Sequence, residues 1–250
     1  MNTLRDTWIV YARQMRPTLR RPVVTALYSM LQPVLYLVLF APLLTGMPGA
    51  MGEDPWQWFV PGMLAMLSLF TTAYAGFGLL PEVRSGAHER LLATPVSRSA
   101  LLLGRVLRDI TVMLVQALVI VAAMLPFGLR PSPVGVLAAL VLLAVLGVGL
   151  GTLSYLFALV VKVEYLFAAL LQAVTMPLIL LSGVLLPMDL APGWLYALSR
   201  ANPVSHVVDA ERALFAGDLT DPSVAVGTAV AVVLAVVALV LGTRTMRRLA

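Results

Sequence analysis

The chain is 250 residues long; 60% of these residues are hydrophobic and only 12% are charged, with a net charge of +5. Soluble domains carry about 25% charged residues, so this composition excludes an ordinary soluble domain and is typical of a protein surrounded by lipid. The sequence contains no cysteine, which excludes disulfides, thiol catalysis and cysteine-ligated metal sites.

Residues 1–22 precede the first long apolar stretch and are predicted to form an amphipathic helix. Trp8, Tyr11, Met15 and Leu19 recur at helical spacing, and most of the arginines of this segment fall on the other side. This pattern is typical of a helix that lies in the headgroup layer of a membrane. The alternative is a basic flank that only sets the topology.

Six apolar stretches are long enough to cross a membrane, because a hydrocarbon core of about 30 Å requires about 20 apolar residues in a helix. The sequence therefore predicts an all-α membrane protein with a single transmembrane domain over residues 1–250. The predicted spans are residues 23–44, 58–80, 106–127, 134–161, 165–187 and 222–242.

The polar connection, residues 81–105, joins the second and third spans. Pro81 is expected to end or kink the second span, and Pro95 to stop a short amphipathic helix. Ser97 is a candidate N-cap for the helix that enters the third span. Leu91 and Leu92 give the short helix an apolar side that could fit a groove in a soluble partner, although an inert connector is the alternative.

The aromatic connection, residues 188–221, joins the fifth and sixth spans. Trp194 and Tyr196 suit a membrane interface. Asn202 is a candidate N-cap, Pro203 fits a first helical turn and Gly217 a C-terminal stop. We expect one or two short re-entrant helices here, at or dipping into the outer leaflet.

The basic residues are distributed asymmetrically over the predicted connections. With the N-terminus inside, the inner segments hold 14 of the 17 basic residues and leave only Arg130, Arg200 and Arg212 outside. The inner segments then carry a charge of about +9 and the outer segments about −4. The sequence therefore predicts that both termini are cytoplasmic.

Few residues of the chain suit enzyme or ion-carrier chemistry. There is no G-x-x-x-x-G-K motif and no H-E-x-x-H motif. His206 and Asp209 are spaced as a fragment of a site, which leaves a membrane-embedded, lipid-acting enzyme or assembly factor as an alternative. Ion-coupled carriers generally place ionisable groups near the membrane midplane, and the predicted span interiors lack them, which argues against a secondary carrier.

Adaptable thioether, aromatic and amide side chains lie within the predicted spans and suit contact with a lipophilic or amphipathic cargo. Ordinary helix packing is the alternative use for them. The candidate pathway residues are Met66, Phe70, Tyr74, Phe77, Gln116, Gln172 and Met176.

Two segments together resemble a known family. The first is E-V-R-S-G-A-H-E-R-L-L-A-T-P-V-S-R-S-A-L-L-L-G-R, at Glu82–Arg105; the second is L-S-G-V-L-L-P-M-D-L-A-P-G-W-L, at Leu181–Leu195, followed by N-P-V-S-H-V-V-D-A-E-R at Asn202–Arg212. They are similar to the corresponding segments of type-2 ATP-binding-cassette (ABC) exporter permeases, particularly those of daunorubicin resistance and nodulation export.

The resemblance implies a non-catalytic permease subunit of a bacterial inner-membrane exporter, without a cofactor or metal of its own. ATP and Mg would bind two separate nucleotide-binding subunits, and the permease would pair with a second copy or a paralogue. The cargo would be a drug, a lipid or a glycan-lipid. The resemblance assigns the contact with the ATPase subunits to Glu82, Arg84, Gly86, Glu89, Arg90, Leu91, Leu92, Pro95, Lys162 and Glu164.

Overall fold

Helices make up nearly all of the chain that the computed structural model describes, which is residues 3–20, 30–31, 33–40, 55–94 and 96–248. The prediction of an all-α protein is therefore confirmed for these residues. The helices are α1 (Thr3–Arg20), α2 (residues 30–31 and 33–40), α3 (Pro55–Ala73), α4 (Leu80–Arg84), α5 (Ala87–Leu92), α6 (Arg98–Met124), α7 (Pro133–Val161), α8 (Glu164–Leu180), α9 (Gly193–Ala201), α10 (Pro203–Ala216) and α11 (Pro222–Arg248).

Four segments are long and apolar enough to cross a membrane: Pro55–Arg84, Arg98–Phe127, Pro133–Val161 and Pro222–Met246. They coincide with the second, third, fourth and sixth predicted spans. The first predicted span, 23–44, lies largely outside the described residues. In the fifth predicted span, 165–187, α8 ends at Leu180, and a turn follows in which Gly183 has a left-handed conformation. At 1.5 Å per residue, α8 is only about 26 Å long.

α7 is the central helix of the bundle and packs against α3, α6, α10 and α11. Its small residues make this possible, as the sequence Gly147-Val148-Gly149-Leu150-Gly151 indicates. A Cβ atom on Gly149 would lie 3.2 Å from the backbone nitrogen of Ala235 in α11. α7 and α11 therefore approach each other closely at Gly149.

α10 packs across α7 and α11 with almost no space between the backbones. A Cβ atom on Gly135 of α7 would lie 1.8 Å from the carbonyl oxygen of Leu214, and one on Gly227 of α11 would lie 2.5 Å from that of His206. These two glycines allow α10 to sit inside the bundle, against α3, α7 and α11.

The bundle has two chemically different ends. At the polar end, the polar connection meets α1 and the last turns of α11: the backbone N–H of Ser97 donates to Asp6, and Arg98 donates to the carbonyl of Met246. At the aromatic end, α10 meets the start of α3 and the segment before α7, where Ser132 donates to the carbonyl of Phe215. The segments predicted to lie inside thus share one end.

α1 packs along α6 and presents three different faces. Val10 and Met15 are buried, and Val10 fits against Gly104 of α6. Leu4 and Trp8 are exposed, and so are the arginines of α1. Met15, which the sequence placed on the lipid face, is instead covered by protein.

The second span is interrupted before Pro81, not at it. A 3-10 turn over Ala75–Gly78 separates α3 from α4, and Pro81 lies in the first turn of α4, where its missing N–H costs no helical hydrogen bond. The Ser154 hydroxyl of α7 donates to the carbonyl of Ala73 and accepts from the backbone N–H of Gly76, 2.9 Å away. One side chain therefore satisfies both sides of the break.

Replacing Ser154 with alanine is expected to destabilise the protein by about 1–3 kcal/mol, because the carbonyl of Ala73 and the N–H of Gly76 lose a buried partner. For a chain of this size, the melting temperature in micelles falls by about 2–4 °C for each kcal/mol. Ser68→Ala is the matched control, since the buried Ser68 hydroxyl has no partner among the described residues. Equal melting temperatures for the two variants would refute this role of Ser154.

Candidate functional site

The polar connection contains two short helices where the sequence predicts one. α4 ends at Arg84 and α5 begins at Ala87, and Gly86 between them has a left-handed φ of 68°. A residue with a Cβ adopts this conformation only with strain, so Gly86 fixes the angle between the two helices. Ser97 accepts from the backbone N–H of Ala100 and caps α6, as predicted.

Two ion pairs attach α4 to the bundle. Glu82 pairs with Arg105 of α6 at 2.5 Å, and the Arg105 side chain is only 6% exposed. Arg84 pairs with Glu164 at the start of α8, where both side chains are about half exposed. Three residues predicted to contact the ATPase subunits thus hold the polar connection against α6 and α8.

The other predicted contact residues differ in their accessibility. Glu89 and Arg90 are exposed on α5 and take part in no ion pair among the described residues, while Leu91 and Leu92 are half-buried. Lys162 caps the C-terminus of α7 with a left-handed φ of 55°. Pro95 lies outside the described residues.

His88 is a residue of α5 whose environment the sequence did not reveal. Its ring is buried against Leu79, Leu101 and Arg105, and neither ring nitrogen has a hydrogen-bond partner among the described residues. Burial lowers the pKa of His88, and the positive charge of Arg105 lowers it further. A neutral His88 therefore anchors the buried side of α5.

A second charged cluster at the polar end connects α1, α6 and α7. Arg108 pairs with Asp109 at 2.7 Å and donates to the hydroxyl of Thr18 in α1 at 2.6 Å. Asp109 is buried and accepts from the hydroxyl of Tyr155 in α7 at 2.5 Å. Tyr155 lies 46 positions from Asp109 in the chain, so the sequence alone does not reveal this partner.

Five of the seven predicted pathway residues form one surface strip, which we call the aromatic strip: Phe70, Tyr74 and Phe77 of the broken span, with Gln172 and Met176 of α8. The ring centroids of Phe70 and Tyr74 lie 5.7 Å apart, and those of Tyr74 and Phe77 lie 5.9 Å apart. The Tyr74 hydroxyl donates to Gln172 Oε1 at 2.8 Å, and the amide of Gln172 lies 3.9 Å from the sulfur of Met176.

Met66 and Gln116, the other two predicted pathway residues, do not belong to the strip. Met66 is fully buried in the core. Gln116 is buried on α6, with its Oε1 3.5 Å from the hydroxyl of Thr71. Both residues pack between helices in this structure, and their part in a pathway stays a prediction.

An apolar cavity of about 450 Å³ adjoins the aromatic strip between α3, α7 and α8. Ala73 of α3, Phe157 of α7 and Leu171 of α8 line it, and the hydroxyls of Ser154 and Thr175 are among its few polar groups. The cavity has the size of a small-molecule site, and none of the described residues that line it is charged.

Comparison with known proteins decides the family. A family model described as ABC-2 type transporter matches residues 5–216, which is most of the chain. The chain belongs to the ABC-2 type transporter family. It is also 27% identical over 189 residues to the daunorubicin resistance ABC transporter permease protein DrrB1 of Streptomyces coeruleorubidus, which covers 75% of this chain and 67% of the relative. The protein is thus a multi-pass transmembrane permease subunit of an ABC exporter.

The aromatic end of this ABC-2 permease is held together by a third group of charges. Asn202 accepts from the backbone N–H of Val204 and caps α10, as predicted. Asp209 pairs with Arg200 of α9 at 2.8 Å, and His206 Nε2 lies 2.9 Å from the carbonyl oxygen of Arg200. His206 and Asp209 therefore join α9 to α10, which accounts for both without a catalytic role.

The two ion pairs of α4 in the permease are expected to differ in strength. Glu82→Gln leaves the buried Arg105 guanidinium without its partner, so we expect a loss of about 3 kcal/mol in the free energy of unfolding. Glu164→Gln removes the exposed partner of Arg84 and should cost less than about 1 kcal/mol. Thermal unfolding in micelles measures both losses, and similar values would contradict the assignment.

Proposed function

We propose that this permease is one of two copies forming an exporter in a bacterial inner membrane, and that two separate ATPase subunits dock at its polar end. Each copy crosses the membrane six times, with α2 in the first span and α8 in the fifth. Both termini are cytoplasmic. The gathering of α1, the polar connection and the end of α11 at one end supports this topology, because these segments carry most of the positive charge.

The exposed edge of α5 is the proposed contact with the ATPase subunit. Glu89 and Arg90 are exposed, and neither forms an ion pair within the part of the chain that the structure describes. Glu82, Arg84 and the buried His88 hold the opposite side of the two helices against the bundle. A force applied to such an edge reaches α6 and α8 through the two ion pairs instead of bending a loose loop. The proposal depends on this combination: the outer edge of α5 is exposed, while α4 is bonded to α6 and α8.

Glu89→Arg is expected to lower the ATPase activity of the assembled exporter in liposomes about tenfold or more, because charge reversal at an interface weakens docking. Replacing both Leu91 and Leu92 with alanine should have a similar effect. Thermal stability of the Glu89 variant should remain unchanged, since its side chain is exposed. Asp218→Arg, a charge reversal at the aromatic end, is the control and should retain activity. Normal hydrolysis and transport by the α5 variants would refute the coupling role.

The aromatic strip is the proposed surface shared by the two copies, and cargo passes along it. Gln172 and Met176 are exposed in the single chain, Met176 by 54%, although they lie beside aromatic rings that a membrane protein usually packs. The strip offers rings, a thioether and one amide but no charge. Such a surface suits a lipophilic or amphipathic molecule, and the name of the daunorubicin resistance relative is in keeping with this class.

A cysteine-free sequence makes the pairing of copies directly testable, because a single introduced cysteine cannot form an intramolecular disulfide. Met176→Cys, on the aromatic strip, is expected to give a cross-linked dimer upon oxidation in membranes. Val233→Cys is the control, since this side chain is 61% exposed on α11, away from the strip. Equal cross-linking by the two variants, or none by Met176→Cys, would contradict the proposed surface.

A further inference from the structure

Glu211 is the most deeply buried acid among the described residues, and neither of its carboxylate oxygens has a hydrogen-bond partner there. Its relative exposure is 0%. A charged group in such a place is strongly disfavoured unless it is paired. Burial accordingly raises the pKa of the Glu211 carboxyl well above its ordinary value of 4.5.

The position of Glu211 on α10 explains this isolation. Helical spacing places it at the centre of the stripe that packs against the bundle. The apolar members of that stripe are Val204, Val207, Val208, Leu214 and Phe215, each at most 2% exposed. Ionising Glu211 would therefore put a negative charge in the middle of an apolar contact.

No opposite charge on the packed elements reaches this stripe. α3 contains no ionisable residue, and the only one in α7, Tyr155, bonds to Asp109 at the polar end. In α11 the charges begin at Arg244, also towards the polar end, while the exposed Arg130 precedes α7.

The basic groups of α9 and α10 have other partners. Arg200 of α9 pairs with Asp209, and His206 lies against a backbone carbonyl. Arg212 follows Glu211 directly but donates to the carbonyls of Trp58 and Gly183. Tyr196 of α9 lies under the guanidinium of Arg200. None of these groups is paired with Glu211.

We propose that Glu211 is a proton-binding site, and that α10 stays packed against α3 and α7 only while this site is occupied. When α10 separates from the bundle, water reaches the carboxyl, which then ionises and releases its proton. Repacking of α10 requires a proton to be taken up again. The aromatic end of the permease therefore opens more readily as the pH on that side rises.

Proton linkage gives the sign and size of the pH dependence of α10 opening. The packed state binds one proton more than the open state at any pH between the ordinary pKa of a carboxyl and the raised pKa of Glu211. The packed state therefore has its full stability at pH values below the ordinary pKa of a carboxyl. It loses stability as the pH rises towards the raised pKa of Glu211. Within this window, the opening equilibrium of α10 should increase about tenfold for each pH unit.

Hydrogen exchange of the purified full chain in micelles tests this expectation. After correction for the intrinsic pH dependence of amide exchange, the α10 amides of the natural protein should lose protection about tenfold per pH unit. Glu211→Gln should abolish this dependence, since the amide carries no titrating proton. Asp218→Asn, a change at an exposed acid of the same connection, should retain it.

Infrared spectroscopy detects the proton itself. A carbonyl stretch of a protonated carboxylic acid that persists above the ordinary pKa of a carboxyl should be present in the natural protein and in Asp218→Asn, and absent from Glu211→Gln. If the glutamine variant does not fold, Glu211→Leu replaces it, because leucine completes the apolar stripe. The proposal would be overturned if α10 exchange still depended on pH after either substitution. It would also be overturned if the infrared band remained after either substitution. Neither measurement requires an ATPase or a cargo, so their failure is distinct from failure of the proposed function.

Discussion

A membrane interior offers no water to backbone groups, so every break in a helix there must be bonded by the protein itself. The interruption between α3 and α4 depends on this constraint. The Ser154 hydroxyl bonds both Ala73 and Gly76 and thereby supplies a hydrogen-bond partner on each side of the break. Beyond the break, residues of α4 pair with Arg105 and Glu164. The geometry of the polar end thus begins with one hydroxyl in the central helix.

The charged groups described above lie near the two ends of the bundle, where they bond different helices together. At the polar end, Arg105 and Arg108 bond acids and a hydroxyl from several helices and make α1, α4, α6 and α7 one unit. The middle of the bundle contains apolar and small side chains instead. Under the function proposed above, force from an ATPase subunit enters through these contacts, and cargo passes along the uncharged aromatic strip.

The sequence predicted features that depend on neighbouring residues and missed those that depend on distant ones. The caps at Ser97 and Asn202 were predictable, because a cap and its N–H lie within three residues of each other. The break between α3 and α4 was not predictable, since Ser154, which bonds Gly76 there, is 78 residues away from Gly76. Likewise, composition could place Glu82 and Glu89 in one polar connection but could not show that Glu82 pairs with Arg105, while Glu89 forms no ion pair among the described residues. Met66 and Gln116 illustrate the same limit, because packing residues and pathway residues have the same composition.

Arg212 has a consequence for how the protein is made. Its guanidinium lies over the ring of Trp58 and bonds to the carbonyls of Trp58 and Gly183, yet it follows Trp58 by 154 positions in the chain. A ribosome releases this arginine only after most of the polypeptide has entered the membrane. The contact between Arg212 and Trp58 therefore forms only late in biogenesis, and a product truncated before residue 212 would leave the ring of Trp58 without this guanidinium.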